Sequence, residues 1–177
     1  MSVGSTGTAA STGANMGPPW ASDAQALRRH LEELATPFEE ALREYVARAG
    51  SEGVANLHDG MAFALGTDIE DPALRGKRIR PLLCLLTAEA LGATARRGLP
   101  FALAIELMHN FALVHDDIQD GDVMRRGRDA AWVRHGAPHA INIGDYLLVH
   151  AFRVLTGPLS AELDAPARLR LIELIGS

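Results

Sequence analysis

The sequence predicts an all-α protein whose helices pack as a bundle. Apolar residues recur three or four positions apart in several segments, which is the spacing of one face of an amphipathic helix. Glycine and proline punctuate those segments, and no stretch alternates apolar and polar residues as a half-buried strand does. The 177 residues are 47% hydrophobic, so the chain can enclose a core between packed helix faces.

The first predicted helix covers residues 23–49, where Leu27, Leu31 and further apolar residues keep helical spacing. Pro37 lies within it and predicts a kink or an interruption, because proline lacks the N–H group that a helix interior uses. A second helix is predicted over residues 55–65, before a loop that contains an Asp-Pro and an Arg-Gly pair.

Four later helices are predicted from apolar spacing and from the breakers at their ends, over residues 81–91, 100–119, 140–155 and 161–175. Gly92 ends the first of them. Pro100 suits the first turn of the second, where the backbone N–H groups have no partner within the helix. Gly157 and Pro158 end the third.

Residues 1–22 are predicted to form a flexible, low-complexity tail, and residues 23–177 to form one domain. The tail has no basic start, no unbroken apolar run and no arginine, so it lacks the features of a signal peptide or a transit helix. Cys84 is the only cysteine, which excludes a disulfide framework and favours a reducing compartment. We therefore expect a cytoplasmic protein.

Charge and hydropathy exclude two further classes. The formal net charge of −5 disfavours a nucleic-acid surface, which needs a dominant basic field. The most apolar later stretch, residues 99–114, is interrupted by Glu106, His109 and Asn110, so it is too polar to span a bilayer. We expect no nucleic-acid partner and no stable membrane insertion.

Three carboxylates, Asp116, Asp117 and Asp120, stand at the predicted end of the long helix, and we expect them to share one helical face. Crowded carboxylates repel one another unless a cation intervenes, and oxygen ligands at this spacing suit Mg²⁺ with substrate phosphates. A solvated acidic helix end is an equally good interpretation of the motif alone. An EF-hand is excluded, because Ile118 and Gly127 stand where it needs oxygen ligands.

Two basic clusters flank this motif in an otherwise acidic chain. Lys77, Arg78 and Arg80 belong to the segment GKRIRP, and Arg125 and Arg126 follow the last aspartate. Guanidinium groups bind diphosphate oxygens through paired hydrogen bonds, and lysine adds a mobile point charge. Either cluster alone is more often a solvated loop, so only their combination with the acidic motif predicts a diphosphate site.

The order of these segments resembles the isoprenyl (polyprenyl) diphosphate synthase family: GKRIRP, then about thirty residues, then HNFALVHDDIQD, then RRG. The resemblance runs from about residue 27 to residue 175 and includes the segment AINIGDYLLVHAF. It implies an isoprenoid synthase-type helical bundle and a Mg²⁺-dependent prenyltransferase that condenses isopentenyl diphosphate with an allylic diphosphate. The two-residue gap between Asp117 and Asp120 favours a short-chain enzyme that makes geranylgeranyl or farnesyl diphosphate.

The resemblance also implies a role for each acidic residue. Asp116 and Asp120 would bind the Mg²⁺ ions that bridge the allylic diphosphate, and Asp117 would support the cluster. Arg125 would contact that diphosphate.

The second substrate, isopentenyl diphosphate, would be held by Lys77, Arg80, His109 and Arg126, again on the resemblance. Arg78 is expected to face water. A histidine such as His109, taken alone, is more often a satisfied helix-face residue than a ligand.

Product length in the family depends on side chains that floor the apolar channel ahead of the acidic motif. These positions correspond to Phe111 and Ala112, five and four residues before Asp116. No family role is assigned to His115, which we expect to tune the electrostatics of the neighbouring carboxylates.

Two departures from the family are expected to matter. Arg75 and Gly76 replace a paired glycine, which predicts a slightly altered loop. Family members carry about twice this helical content and a second aspartate-rich motif, so the resemblance covers only the amino-terminal part of a synthase domain and implies a truncated bundle. Two alternatives stay open: a non-catalytic partner or regulatory subunit of a complete synthase, and, less favoured by the two basic clusters, a class I terpene cyclase. A homodimer or a partner chain is expected.

Overall fold

The computed structural model describes residues 18, 23–52, 54–71 and 74–177. In this part of the chain it has seven α-helices, a 3₁₀ helix and a short hairpin: α1 (Ala24–Glu52), α2 (Ala55–Leu65), α3 (Ile79–Ala90), α4 (Ala95–Asp120), β1 (Met124–Arg125), β2 (Arg128–Asp129), α5 (Ala131–His135), α6 (Ala137–Thr156), the 3₁₀ helix (Pro158–Ser160) and α7 (Ala165–Gly176). The all-α prediction is confirmed. The predicted tail, residues 1–22, lies outside the described residues apart from Pro18.

The long helix α4 is the centre of the fold. It packs most extensively against α6 and next against α3. Three consecutive residues of α4, 102–104, are fully buried, and Leu107 is fully buried one turn later. On α6, Ile143 and Leu147 are fully buried, and burial of each such side chain contributes about 1.5–3 kcal/mol. The surrounding helices therefore fix the position of the carboxyl end of α4, where the acidic motif lies.

The first helix runs without a break past its proline. Pro37 lies inside α1 and is exposed, so its ring meets solvent on the outer side of the helix. Phe38 and Leu42 are fully buried and hold the helix against the core on the other side. The prediction that Pro37 interrupts the helix was wrong, because tertiary packing outweighs the loss of one backbone hydrogen bond.

The start of α4 also differs from the prediction. The helix begins at Ala95, with Thr94 as its cap, whose side chain accepts a hydrogen bond from the Arg97 N–H at 3.4 Å. Pro100 is buried inside the helix rather than in its first turn. The cap and the burial of the preceding turn compensate for the bond that Pro100 cannot make. None of the helices in the described part of the chain combines the length and apolar composition needed to cross a membrane.

The starts of α6 and α7 show why capping residues decide boundaries. Helix α6 begins at Ala137, three residues ahead of the predicted start, with Pro138 in its first turn. Asp164 caps α7, and its Oδ1 accepts a hydrogen bond from the Ala167 N–H at 2.8 Å. That cap delays α7 to Ala165, four residues after the predicted start.

A two-residue hairpin follows α4, where the sequence pattern predicts no strand. Met124 pairs with Asp129 and Arg125 with Arg128, across a turn made of Arg126 and Gly127. Both turn residues have positive φ, 52° and 76° respectively, as in the mirror-image turns that favour tight hairpins. Strands of two residues are too short to produce an alternating pattern. The turn sets the direction of Arg126, one of the predicted site residues.

Candidate functional site

The acidic motif at the end of α4 is divided between two faces of the helix. Asp116 and Asp120 are exposed and lie one turn apart, so their carboxylates share a side. Asp117 is 2% exposed and faces inward, since consecutive residues are about 100° apart around a helix. The expectation that all three carboxylates share one face was therefore wrong. Gly121, at φ 72°, ends the helix and donates its N–H to the Asp117 carbonyl oxygen.

The buried carboxylate of Asp117 is paired with Arg125 of the hairpin. The Nε of Arg125 lies 2.7 and 2.8 Å from the two carboxylate oxygens, and Nη2 also donates to Oδ1. This hydrogen bonding raises the pKa of Arg125 above its usual value. The pair fastens the hairpin to α4, and it leaves Nη1 of Arg125 as the nitrogen not engaged by Asp117.

Two carboxylates remain open for a metal. In the portion of the chain that the structure describes, no three His, Cys, Asp or Glu side chains are grouped so that they could hold an ion. Mg²⁺ commonly takes one or two carboxylates and completes its octahedron with water and phosphate oxygens. Asp116 and Asp120 therefore fit Mg²⁺ if a bound phosphate supplies further ligands.

The two basic clusters, far apart in sequence, meet in space. Arg126 Nη1 donates to the carbonyl oxygen of Arg75 at 3.0 Å. A Cβ added to Gly76 would lie 2.8 Å from the guanidinium carbon of Arg126, and Gly76 has a φ of 93°. The backbone conformation favours glycine at this position, and any side chain there would also displace the Arg126 guanidinium. The prediction that these clusters belong to one site is supported by this contact.

Arg75, which replaces a glycine of the family pattern, closes the same loop. Its Nε donates to the Ile69 carbonyl oxygen at 2.7 Å, and its Nη2 donates to the Glu70 carbonyl oxygen. The Arg75 side chain therefore holds the loop that precedes the basic segment. The backbone carbonyl of Arg75 remains available to Arg126.

His109 and Arg80 form the other side of this site. Arg80 Nη1 donates to His109 Nε2 at 3.0 Å, which requires a neutral imidazole that accepts at that nitrogen. Burial and, next, the charge of Arg80 lower the pKa of His109. Burial also lowers the pKa of Arg126. Arg80 and Lys77 are exposed, so a bound anion can reach both of these cations.

Arg78 is buried, although it stands between the exposed residues of its cluster. It is 6% exposed, with φ 48°. Its guanidinium donates to Glu39 Oε1 at 2.7 Å, to Glu106 Oε1 at 2.6 Å and to the Leu65 carbonyl oxygen at 2.7 Å. The expectation that Arg78 faces water was wrong. Its partners lie on three other helices, so Arg78 fixes the loop that carries the basic segment.

Glu106 is a site residue that the sequence interpretation missed. It is 2% exposed, and besides Arg78 it accepts a hydrogen bond from Asn110 Nδ2 at 3.0 Å. Its charge acts on both His109 and Arg126 and opposes the lowering of their pKa values. The available signal was a glutamate and an asparagine four residues apart inside an apolar run, which predicts a buried polar pair.

The predicted chain-length residues lie between the acidic motif and the core. Phe111 and Ala112 are half-buried, and the Phe111 ring meets His115 edge-on with 4.8 Å between centroids. His115 Nε2 lies 3.3 Å from the Ile141 carbonyl oxygen. His115 thus faces α6, and its predicted effect on the carboxylates stays a prediction.

Comparison with known proteins adds independent evidence. The sequence model of the polyprenyl synthetase family matches residues 68–175. A farnesyl diphosphate synthase of Geobacillus stearothermophilus is 40% identical over 149 residues, which cover 83% of this chain and 47% of that protein. A geranylgeranyl pyrophosphate synthase of Geoglobus acetivorans is 52% identical over 81 residues, which cover 46% and 25%. The chain therefore spans less than half the length of these relatives.

Solved structures agree with this result. A geranylgeranyl pyrophosphate synthetase from Pyrococcus horikoshii superimposes with a TM-score of 0.71 at 32% identity, over 86% of this chain and 42% of that one. The predicted isoprenoid synthase-type bundle is confirmed. Since the family's sequence model accounts for more than half of the chain, and since the aspartates and both basic clusters lie inside the matched region, this chain belongs to the polyprenyl synthetase family.

Proposed function

We propose that this chain carries the first aspartate-rich motif and both diphosphate-binding clusters of a trans-prenyltransferase. The reaction condenses isopentenyl diphosphate with an allylic diphosphate and uses Mg²⁺. The observation that carries the proposal is the contact between Arg126 of the second basic cluster and the loop that begins the first: Arg126 donates to the Arg75 carbonyl oxygen at 3.0 Å, one residue before the segment GKRIRP. A single diphosphate needs fewer cations than this site assembles.

The allylic diphosphate is assigned to the acidic side of the site. Asp116 and Asp120 would hold Mg²⁺, which when bound supplies positive charge that stabilises the departing pyrophosphate. Asp117 keeps the guanidinium of Arg125 oriented through its Nε and Nη2, so Nη1 can donate to the diphosphate. Asp117 is therefore a positioning residue in this proposal, and Arg125 is a direct ligand.

Isopentenyl diphosphate is assigned to the basic side. Lys77, Arg80 and Arg126 would neutralise it, and His109 would donate a hydrogen bond once the bound anion favours uptake of a proton from solvent by the ring. The buried ion pair between Glu106 and Arg78 holds the loop that carries the basic segment in place.

The chemistry follows from these two sites. The allylic C–O bond breaks and its electron pair leaves with pyrophosphate, which the cations stabilise. The double bond of isopentenyl diphosphate then attacks the allylic cation and forms a C–C bond. Loss of a proton from the isopentenyl unit restores a double bond, and the product is an allylic diphosphate five carbons longer.

Product length is assigned to the apolar part of α4 before the aspartates. At 1.5 Å per residue, Ala112 and Phe111 lie about 6 and 7.5 Å along the helix from Asp116. A prenyl tail whose diphosphate is bound at Asp116 would meet them within one or two isoprene units. The relatives named above support a farnesyl or geranylgeranyl diphosphate product.

The alternatives make different demands on the site. A terpene cyclase ionises one diphosphate and does not need the assembly of Lys77, Arg80 and His109 beside a separate arginine pair. A non-catalytic partner would need neither substrate cluster intact. We also propose a cytoplasmic location, because the single cysteine Cys84 favours a reducing compartment. A second chain, either in a homodimer or as a different partner, is also part of the proposal.

The test is a condensation assay with the 177-residue chain, radiolabelled isopentenyl diphosphate, Mg²⁺ and dimethylallyl, geranyl or farnesyl diphosphate as primer. Size-exclusion chromatography gives the oligomeric state in the same buffer. A labelled product supports the proposal, and its carbon number identifies the primer and the product. Absence of product together with absence of Mg²⁺-dependent binding of pyrophosphate would contradict it.

Arg125→Ala and Arg126→Ala should separate the two substrates. Loss of a charge-assisted hydrogen bond weakens binding by roughly 10- to 100-fold. Arg125→Ala should weaken the allylic diphosphate more, and Arg126→Ala should weaken isopentenyl diphosphate more. Calorimetric titration of each variant with each diphosphate measures the difference, and Arg134→Ala, an exposed arginine on α5, is the control. Equal losses for both substrates would refute the division.

Binding at the basic side should take up a proton through His109. Burial lowers the pKa of His109 in the free chain, so the neutral ring predominates there at and above its ordinary pKa, whereas a bound diphosphate favours the charged ring. The pKa therefore rises on binding, and affinity should increase as pH falls from about 7.5 to about 6.5. Pyrophosphate titrations in buffers of different ionisation enthalpy count the protons. His109→Asn should abolish this uptake and leave only the protons taken up by pyrophosphate itself.

A further inference from the structure

His115 occupies a notch on α6 that exists only because residue 144 is glycine. A Cβ built on Gly144 would lie 2.2 Å from His115 Nε2 and 2.4 Å from Cδ2, which is impossible without displacing the ring. The notch has two further contacts. His115 Nε2 lies 3.3 Å from the Ile141 carbonyl oxygen and 3.7 Å from Asp145 Oδ1. The imidazole therefore meets α6 at residues 141, 144 and 145, which lie on one face of that helix.

Gly144 has no other evident reason to be glycine. It lies inside α6, is buried, and does not have the positive φ that would favour glycine. Glycine in a helix interior costs about 1 kcal/mol relative to alanine. The space for the His115 ring accounts for this cost.

The imidazole also contacts the ring of Phe111. The two rings lie 4.8 Å apart with an interplanar angle of 66°, the edge-to-face arrangement that aromatic pairs prefer. Phe111 and His115 are one turn apart on α4, and Phe111 is only half-buried. Since His115 is anchored on α6, Phe111 rests against a fixed ring rather than against a side chain free to move with it.

We propose that His115 is a positioning residue that fixes the ring of Phe111 and so determines how long a prenyl chain the site accepts. This inference rests on the proposed function, which places Phe111 at the floor of the prenyl channel. Without the imidazole, the Phe111 ring can turn toward the notch over Gly144, and the channel becomes deeper. Neither His115 nor Gly144 touches the reacting atoms in this account.

The first test is the product distribution of His115→Ala. The share of the product that is one isoprene unit longer should rise roughly two- to tenfold, the factor that loss of one aromatic contact can produce. His115→Phe, which keeps a ring against Phe111 but cannot donate to Ile141, should retain the wild-type distribution. His139→Ala, a half-buried histidine on α6 with its Nε2 3.3 Å from the Asn56 carbonyl oxygen, is the control. An unchanged ratio in His115→Ala would overturn the proposal.

The second test uses the notch itself. Gly144→Ala should displace the imidazole and lengthen the product as His115→Ala does, and the double variant should show no further change. Gly60→Ala is a matched control, because its Cβ would lie 2.3 Å from the Ile143 side chain. This clash falls where α2 packs against α6, away from His115. Gly60→Ala should lower the melting temperature without altering the product ratio. A product ratio altered equally by Gly60→Ala would mean that loosened helix packing, and not His115, is responsible.

A readout independent of catalysis separates this inference from the proposed function. In the intact chain, the aromatic NMR signals of Phe111, assigned with Phe111→Leu, should shift in His115→Ala and in Gly144→Ala but not in His139→Ala. If the wild-type chain makes no product, the proposed function fails for this chain, whereas a shift of the Phe111 signals still supports the positioning contact. Unshifted Phe111 signals in both variants would refute it.

Discussion

Replacement of either Asp116 or Asp120 by alanine should abolish Mg²⁺-dependent binding of pyrophosphate. Only these two carboxylates of the motif face outward, because Asp117 is buried against Arg125. Mg²⁺ binds through one or two carboxylates and the phosphate oxygens of its ligand. Removal of either aspartate therefore leaves a single protein ligand. Pyrophosphate titration with and without Mg²⁺ measures the loss.

Two further variants make this prediction specific. Asp129→Ala removes an exposed carboxylate of the hairpin and should leave the Mg²⁺ dependence intact. Asp117→Asn should weaken the chain's stability and the affinity for an allylic diphosphate, through Arg125, while Mg²⁺ still enhances pyrophosphate binding. Unchanged Mg²⁺-dependent binding in both Asp116→Ala and Asp120→Ala would refute the metal assignment.

The second large effect is expected on stability. Arg78→Met should lower the free energy of unfolding by about 3–5 kcal/mol, because it leaves Glu106 buried without its counter-charge. The side chains of Arg78 and Glu106 are 4% and 3% exposed, and Arg78 Nη1 lies 2.6 Å from Glu106 Oε1. Urea denaturation measures the change. Arg96→Met is the control, since its ion pair with Glu162 is exposed on both sides, and such pairs contribute about 0–1 kcal/mol.

A double variant distinguishes stability from positioning. Arg78→Met combined with Glu106→Met should recover part of the stability, since the buried Glu106 charge is removed with its partner and only the half-buried Glu39 carboxylate of α1 is left without Arg78. Pyrophosphate affinity should stay low, because the loop that carries Lys77 and Arg80 is no longer held. Wild-type affinity in the double variant would mean that the buried pair serves the fold alone. If Arg78→Met does not fold, Arg78→Lys keeps the charge but cannot reach three acceptors, and should still lose stability.

Much of the fold follows from local signals in the sequence. The second helix was predicted with its observed bounds, because Gly66 at φ 68° ends it as glycine commonly does. The helix boundaries that were wrong depend on a competing cap or on packing, as at Thr94 and Pro37. Such competition cannot be decided by a pattern that contains only near neighbours.

The site was predictable as a set of residues but not as an arrangement. Lys77 and Arg80, predicted to bind isopentenyl diphosphate, are exposed, and their binding role stays a prediction. Arg78, between them, differs only in its partners on α1, α2 and α4, which are 13 to 39 residues away in sequence. The inward direction of Asp117 depends likewise on Arg125, which a hairpin too short to predict brings into place. Long-range ion pairs thus decide which charges are structural.

Arg78 and Arg126 are the described residues other than glycine with positive φ, 48° and 52°, and each lies in one of the two basic clusters. A left-handed backbone costs an ordinary residue roughly 1–2 kcal/mol, whereas glycine would adopt it freely. Relief of this backbone strain alone would favour glycine at both turns. That arginine stands there instead indicates that the guanidinium groups are worth more to this protein than the relaxed backbone, so engineering for thermal stability should leave these two strained positions unchanged.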